Sequence, residues 1–135
     1  MRKELIIKNN VQELVRVTAF VDGIGEELKL SQEMLGDLQL VMEEMVVNVI
    51  SYAYPEGTVA DITLMAESDG NELTFILSDK GDEFDPTQKE DLDININPMD
   101  REIGGMGIFI VKNIMNEVTY QRLEGHNLLT MKKTL

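Results

Sequence analysis

Two polar side chains in an otherwise apolar helical segment are the first candidates for chemistry in this sequence. Glu44 and Asn48 lie four residues apart in "MEEMVVNVI", so a helix places both on one face. A carboxylate and an amide so placed can serve as a general base and as an oxygen ligand for a hard cation such as magnesium. Taken alone, the pair fits the polar edge of an amphipathic helix better, because Glu43 stands beside it.

A carboxylate and a glycine stand where an alternating segment gives way to a loop. In "SDKGDEFDP", residues 78–86, Asp79 ends the alternation and Gly81 follows two residues later. Asp and Gly are common at such exits because they favour turns. A fixed carboxylate here could also accept a hydrogen bond from an exocyclic amine, and a glycine would let a flat base lie close to the backbone. The segment therefore indicates either a plain strand exit or a base-binding edge.

A glycine cluster opens a strongly apolar helical segment, "IGGMGIFIVKNIM". Glycine is disfavoured inside a helix unless backbone conformation or close approach requires it. The first N–H groups of a helix are unpaired and its dipole is positive there, which makes a helix start a phosphate site. The segment lacks the Walker and dinucleotide patterns, and a flexible loop end is the alternative. The residues concerned are Gly104, Gly105, Met106 and Gly107.

Composition narrows the function classes. The chain has 25 acidic and 12 basic residues, a net charge of −13, which argues against direct nucleic-acid binding and against binding to anionic membranes. The absence of cysteine excludes disulfides and thiolate chemistry. The apolar segments are short and the N-terminus does not resemble a signal peptide, so we expect a cytoplasmic protein.

Hydrophobic periodicity predicts the elements that would hold these residues. A short strand is followed by a helix that ends near Gly23 and Gly25, and then by a largely buried helix capped by Ser31. A hairpin turning at residues 69–71 comes next, and a long polar loop over residues 80–103 follows it. A third helix and a second hairpin, which turns around residues 125–127, complete the prediction.

This order of elements predicts the fold class. A single domain over residues 1–135 is long enough to bury a core of its own. We expect an α+β fold, a two-layer α/β sandwich with the helices on one face of a mixed, mainly antiparallel sheet.

The order and spacing of the motifs resemble the GHKL ATPase superfamily, and within it the small anti-sigma-factor serine/threonine kinases. The similarity spans essentially the whole chain and is carried by "EEMVVNVISYAYPEG", "DKGDEFDP", "REIGGMGIFIVKNIMNEVTY" and "GHNLLTMKKTL". It implies the histidine-kinase-like ATP-binding fold, also called the Bergerat fold, with an ATP lid at about residues 80–106.

The resemblance implies how adenine would be bound. Asp79 would accept a hydrogen bond from the adenine amine, and Gly81 would admit the ring. Thr130, in the closing strand, matches a position that usually supports adenine through water.

The resemblance also implies roles around the phosphates. Asn48 would be the one protein ligand of a Mg²⁺ ion that bridges them, and Glu44 would be the base that deprotonates the attacking hydroxyl. Arg101 would reach the terminal phosphate or a partner protein, or would simply be solvated. The phosphate chain would lie on the backbone of Gly104, Gly105, Met106 and Gly107.

The implied function is that of an ATP-dependent anti-sigma factor. Such a kinase phosphorylates a small anti-sigma-factor antagonist and sequesters a sigma factor by partner switching, and members of the group tend to form homodimers. The alternative is a non-catalytic ATP-binding module that switches partners without phosphotransfer; the presence of Glu44 argues against it. The catalytic half of a sensor histidine kinase is disfavoured, since no dimerisation helix precedes the domain and the single histidine, His126, falls in a predicted turn.

Overall fold

The computed structural model describes residues 1–88 and 103–135. Three helices and five strands make up this part of the chain, with short helical turns at Val11–Glu13, Val49–Ala53 and Pro86–Gln88. In chain order the elements are β1 (Arg2–Lys8), α1 (Leu14–Glu27), α2 (Gln32–Asn48), β2 (Asp61–Ser68), β3 (Glu72–Asp79), α3 (Ile103–Ile114), β4 (Glu117–Leu123) and β5 (His126–Thr134). No helix in the described ranges is long and apolar enough to span a bilayer.

The strands form one open sheet in the order β1-β2-β3-β5-β4. Every neighbouring pair is antiparallel, so the sheet is antiparallel throughout the described part rather than mixed as the sequence suggested. Alternate residues of the strands are buried with apolar residues of the three helices in one core. The predicted α+β two-layer sandwich is confirmed.

Helix α1 does not end at its glycines. It continues to Glu27, and a Cβ built on Gly25 would lie 2.7 Å from Cδ1 of Leu35. Gly25 is therefore a contact point that lets α1 pack closely on the start of α2, and the prediction that the helix ends there is wrong.

Helix α2 is the central element of the helical layer. The Ser31 side chain accepts a hydrogen bond from the Met34 N–H at 3.1 Å, as the predicted N-cap requires. Its buried apolar side chains lie along one face of the helix: Leu38, Val41, Met42, Met45 and Val46. Leu40 and Glu43 are exposed on the other side, so the helix is amphipathic rather than largely buried as the sequence suggested. A wider turn over Val49–Ala53 continues the helix and carries the chain toward the end of β3.

The second hairpin turns one residue earlier than the sequence suggested. Glu124 and Gly125 have positive φ values of 51° and 78°, so they form the turn. His126 is the first residue of β5 rather than part of the turn.

Candidate functional site

Asp79 is fixed at the end of β3 by two donors. The side chain is 4% exposed, and Asn127 of β5 is its antiparallel partner across the sheet. Nδ2 of Asn127 donates to Oδ1 of Asp79 at 2.9 Å, and the Gly81 N–H donates to the same oxygen at 2.8 Å. The carboxylate is thus buried with a defined orientation, which is what a group that recognises a ligand amine needs.

Position 81 requires glycine because the backbone of Ala53 lies very close to it. A Cβ at this position would lie 2.4 Å from the carbonyl oxygen of Ala53 and 2.8 Å from its Cβ. The N–H of Asp82 donates to the same carbonyl oxygen at 2.7 Å, which joins the loop after β3 to the end of the α2 segment. The structure therefore gives glycine a reason at this position that is independent of any ligand.

The sheet register does not bring Thr130 to Asp79. In β5 the buried residues are Asn127, Leu129 and Met131, so Thr130 points to the opposite face of the sheet. Asn127, three residues earlier, is the β5 residue that lies beside Asp79. The water-mediated adenine role that the resemblance implies for Thr130 stays a prediction.

Two tyrosine hydroxyls border this end of the site. The hydroxyl of Tyr120 donates to Oδ1 of Asn127 at 2.6 Å, and burial raises the pKa of Tyr120, so this proton is retained at neutral pH. Burial also raises the pKa of Tyr54, whose hydroxyl oxygen accepts the Lys80 N–H at 3.0 Å.

The polar pair of α2 meets the start of α3. A Cβ built on Gly107 would lie 2.9 Å from Oε2 of Glu44 and 3.5 Å from Nδ2 of Asn48. The carboxylate, the amide and the glycine are therefore immediate neighbours, although 54 residues lie between the end of α2 at Asn48 and the start of α3 at Ile103. A larger residue at position 107 would occupy the space between the two helices that these polar groups face.

A small cavity lies between Asp79 and Asn127 on one side and Asn48 on the other. Its volume is about 10 Å³, enough for roughly one water molecule. A purine ring is far larger, so one would enter this cavity only if the lining residues moved. The lining residues are Met45, Asn48, Val49, Leu77, Asp79, Phe84, Pro86, Tyr120, Asn127 and Leu129.

A profile of the histidine kinase-like ATPase domain matches residues 7–133. The chain belongs to this family. Serine-protein kinase RsbW from several Staphylococcus aureus strains, among them JH9 and Newman, is 32% identical over 119 residues, covering 83% of this chain and 72% of RsbW.

Solved structures of this ATPase fold superpose on the chain. The RsbU and RsbW domains of a Mycobacterium tuberculosis protein give a TM-score of 0.72 at 13% identity, covering 100% of this chain and 32% of that one. The histidine kinase domain of a blue-light activated kinase from Erythrobacter litoralis gives 0.54 at 14% identity, covering 93% of this chain and 60% of that one. At these identities the likeness concerns the fold.

The ATPase family implies a magnesium ion, and the residues of α2 fit one. Nδ2 of Asn48 is buried without a hydrogen-bond partner in the part of the chain that the structure describes. The oxygen and the nitrogen of a side-chain amide are assigned from their hydrogen bonds. Because no hydrogen bond fixes Nδ2 of Asn48, the amide can be turned over so that Oδ1 occupies this position and faces a metal ion. Magnesium keeps several of its water ligands, so one protein oxygen from Asn48 is a sufficient contribution to such a site.

The remaining predicted site residues lie partly within and partly outside the described ranges. Gly104, Gly105 and Met106 lie in the first turn of α3. Arg101 and most of the predicted ATP lid lie outside the described residues.

Proposed function

We propose that this chain is an ATP-dependent serine/threonine protein kinase and anti-sigma factor. It phosphorylates a small anti-sigma-factor antagonist and sequesters a sigma factor by partner switching. The observation that carries the proposal is the meeting of Glu44, Asn48 and Gly107, because it collects a base, a metal ligand and a phosphate-binding helix start at one point. Similarity to the serine-protein kinase RsbW supports the same activity.

The proposed roles come from the family resemblance, and the positions of the side chains support them. Asp79 accepts from the adenine amine, and the start of α3 binds the phosphate chain with its unpaired N–H groups. Asn48 would hold Mg²⁺, which supplies charge neutralisation of the phosphates when bound. Glu44, half-buried beside Gly107, takes the proton of the attacking serine or threonine hydroxyl.

Phosphate transfer to a protein substrate tests this proposal. The purified chain is incubated with Mg–ATP and a small candidate antagonist domain from the same genome, and intact masses are recorded. We expect the antagonist to gain the mass of one phosphate. If the chain binds ATP but no antagonist encoded in that genome gains phosphate, the non-catalytic partner switch replaces the kinase.

Replacement of Gly107 by Ala is expected to slow phosphate transfer without unfolding the protein. The new methyl group would lie 2.9 Å from Oε2 of Glu44, the far end of a flexible side chain, so Glu44 moves and the helices do not. Alanine also favours the helix over glycine by up to about 1 kcal/mol. Transfer rates and urea midpoints of both proteins check this, and an unchanged rate would place Glu44 outside the reaction.

A further inference from the structure

We propose that Asn127 is a positioning residue that sets the purine specificity of Asp79. This inference rests on the proposed function, because it concerns how the proposed adenine-binding carboxylate is held. Neither the motifs nor the sequence resemblance assigned a role to Asn127. It is 4% exposed, on the inner face of β5 with the buried Leu129 and Met131.

The hydrogen bonds around Asn127 fix which end of the amide faces Asp79. The Phe84 N–H at 3.2 Å and Nη1 of Arg122 at 3.1 Å can only donate, so the atom that they face is Oδ1. Oδ1 also accepts from the Tyr120 hydroxyl. The opposite atom, Nδ2, therefore donates both to Oδ1 of Asp79 and to the carbonyl of Asp82, the latter at 2.8 Å.

This arrangement joins the purine-reading carboxylate to the loop that follows it. Asn127 bonds to the side chain of Asp79 and to the backbone of Asp82 and Phe84, while Arg122 donates to the Gly81 carbonyl at 2.8 Å. Asn127 thus connects the position of this loop to the donor that orients the carboxylate. Asn127 therefore determines both where Asp79 points and where the loop after β3 begins.

Orientation of Asp79 has a consequence for nucleotide choice. Both donors of Asp79 engage Oδ1, so the carboxylate cannot rotate freely, and its orientation is fixed for an incoming amine. The 6-amino group of ATP donates to a carboxylate, whereas the 6-oxo group of inosine triphosphate, ITP, cannot donate and is repelled by it. Sites built around such a hydrogen bond reject analogues that lack the donor.

The test compares the affinities for Mg–ATP and Mg–ITP in matched variants. Asn127→Ala removes every hydrogen bond of the Asn127 side chain, whereas Asn127→Asp keeps the shape and the acceptor and replaces the donor that Asp79 shares with the Asp82 carbonyl. Asp79→Asn serves as the reference for lost recognition. Asn116→Ala is the control, because its Oδ1 accepts the Thr134 N–H at 2.8 Å at the far end of β5.

We expect the preference for ATP, which is the affinity for Mg–ATP divided by the affinity for Mg–ITP, to fall by about tenfold or more in both Asn127 variants. Loss of a hydrogen bond to a charged group has an effect of this size. Asn116→Ala should keep the wild-type ratio.

The outcomes separate this inference from the proposed function. A ratio that falls in Asp79→Asn but stays at the wild-type value in both Asn127 variants overturns the positioning role and leaves the ATP site intact. Equal weakening of ATP and ITP binding also overturns it, since that result describes a purely structural residue. A wild-type chain that binds neither nucleotide removes the proposed function and this inference together.

Discussion

Glu44→Ala should lower the rate of phosphate transfer by about 10²–10⁴-fold, the usual contribution of a positioned general base. Binding of Mg–ATP should be unchanged, because the proposed adenine and metal contacts come from Asp79 and Asn48. Glu44 faces the start of α3, with Oε2 2.9 Å from where a Cβ on Gly107 would lie, so its carboxylate is beside the expected phosphate chain. Single-turnover transfer followed by intact mass gives the rate, and calorimetry gives the affinity.

The neighbouring Glu43 provides a matched control for this prediction. Glu43 is exposed on the same helix, so Glu43→Ala removes the same charge without touching the site. Its transfer rate should equal that of the wild type. Transfer at the wild-type rate in Glu44→Ala would remove this carboxylate from the base role, and loss of ATP binding would reassign it to the binding of nucleotide.

Gly81→Ala is the second substitution with a large expected effect, here on stability. The new Cβ would lie 2.4 Å from a backbone oxygen of Ala53, which cannot swing aside as a side chain can. That oxygen also accepts the Asp82 N–H at 2.7 Å, so separating the two segments breaks a buried connection. We expect a loss of about 1–3 kcal/mol in the free energy of unfolding. Urea unfolding measures it.

Gly36→Ala tests whether that loss comes from the close contact. Gly36 is exposed in α2, and a Cβ there would meet nothing within 4 Å. This variant should gain up to about 1 kcal/mol from the better helix propensity of alanine. Equal stability of the two variants would show that the approach of Ala53 to Gly81 does not constrain the fold.

Hydrophobic periodicity predicted the helical layer and the sheet layer, because each helix and each strand buries one face against the other layer. The helix over Gln32–Asn48, its Ser31 cap and the hairpin of β2 and β3 lie where the sequence placed them. The end of α1 was misplaced because Gly25 serves helix packing, a long-range requirement that local propensity does not carry. The fully antiparallel order also depends on pairing between β3 and β5, which are distant in sequence.

The sequence indicated those candidate site residues that lie close to one another along the chain. Glu44 and Asn48 are one helical turn apart, and Asp79 and Gly81 flank one strand end. The sequence did not single out Asn127, because its proposed role depends on Asp79, the residue that pairs with it across the sheet. One signal was available in the alternation of β5. Asn127 has the same parity as the apolar residues Leu129 and Met131, so a strand places its amide on their buried face and Thr130 on the other.

The central claim is that Asp79 forms one end of an ATP site and the Glu44–Asn48–Gly107 cluster the other. Calorimetric titration of the wild type and of Asp79→Ala with Mg–ATP tests it most directly. We predict one bound nucleotide per chain, with affinity reduced by about tenfold or more in the variant, because a hydrogen bond to a charged group is lost. Absence of binding to the wild-type chain, or equal affinity in Asp79→Ala, would contradict the claim.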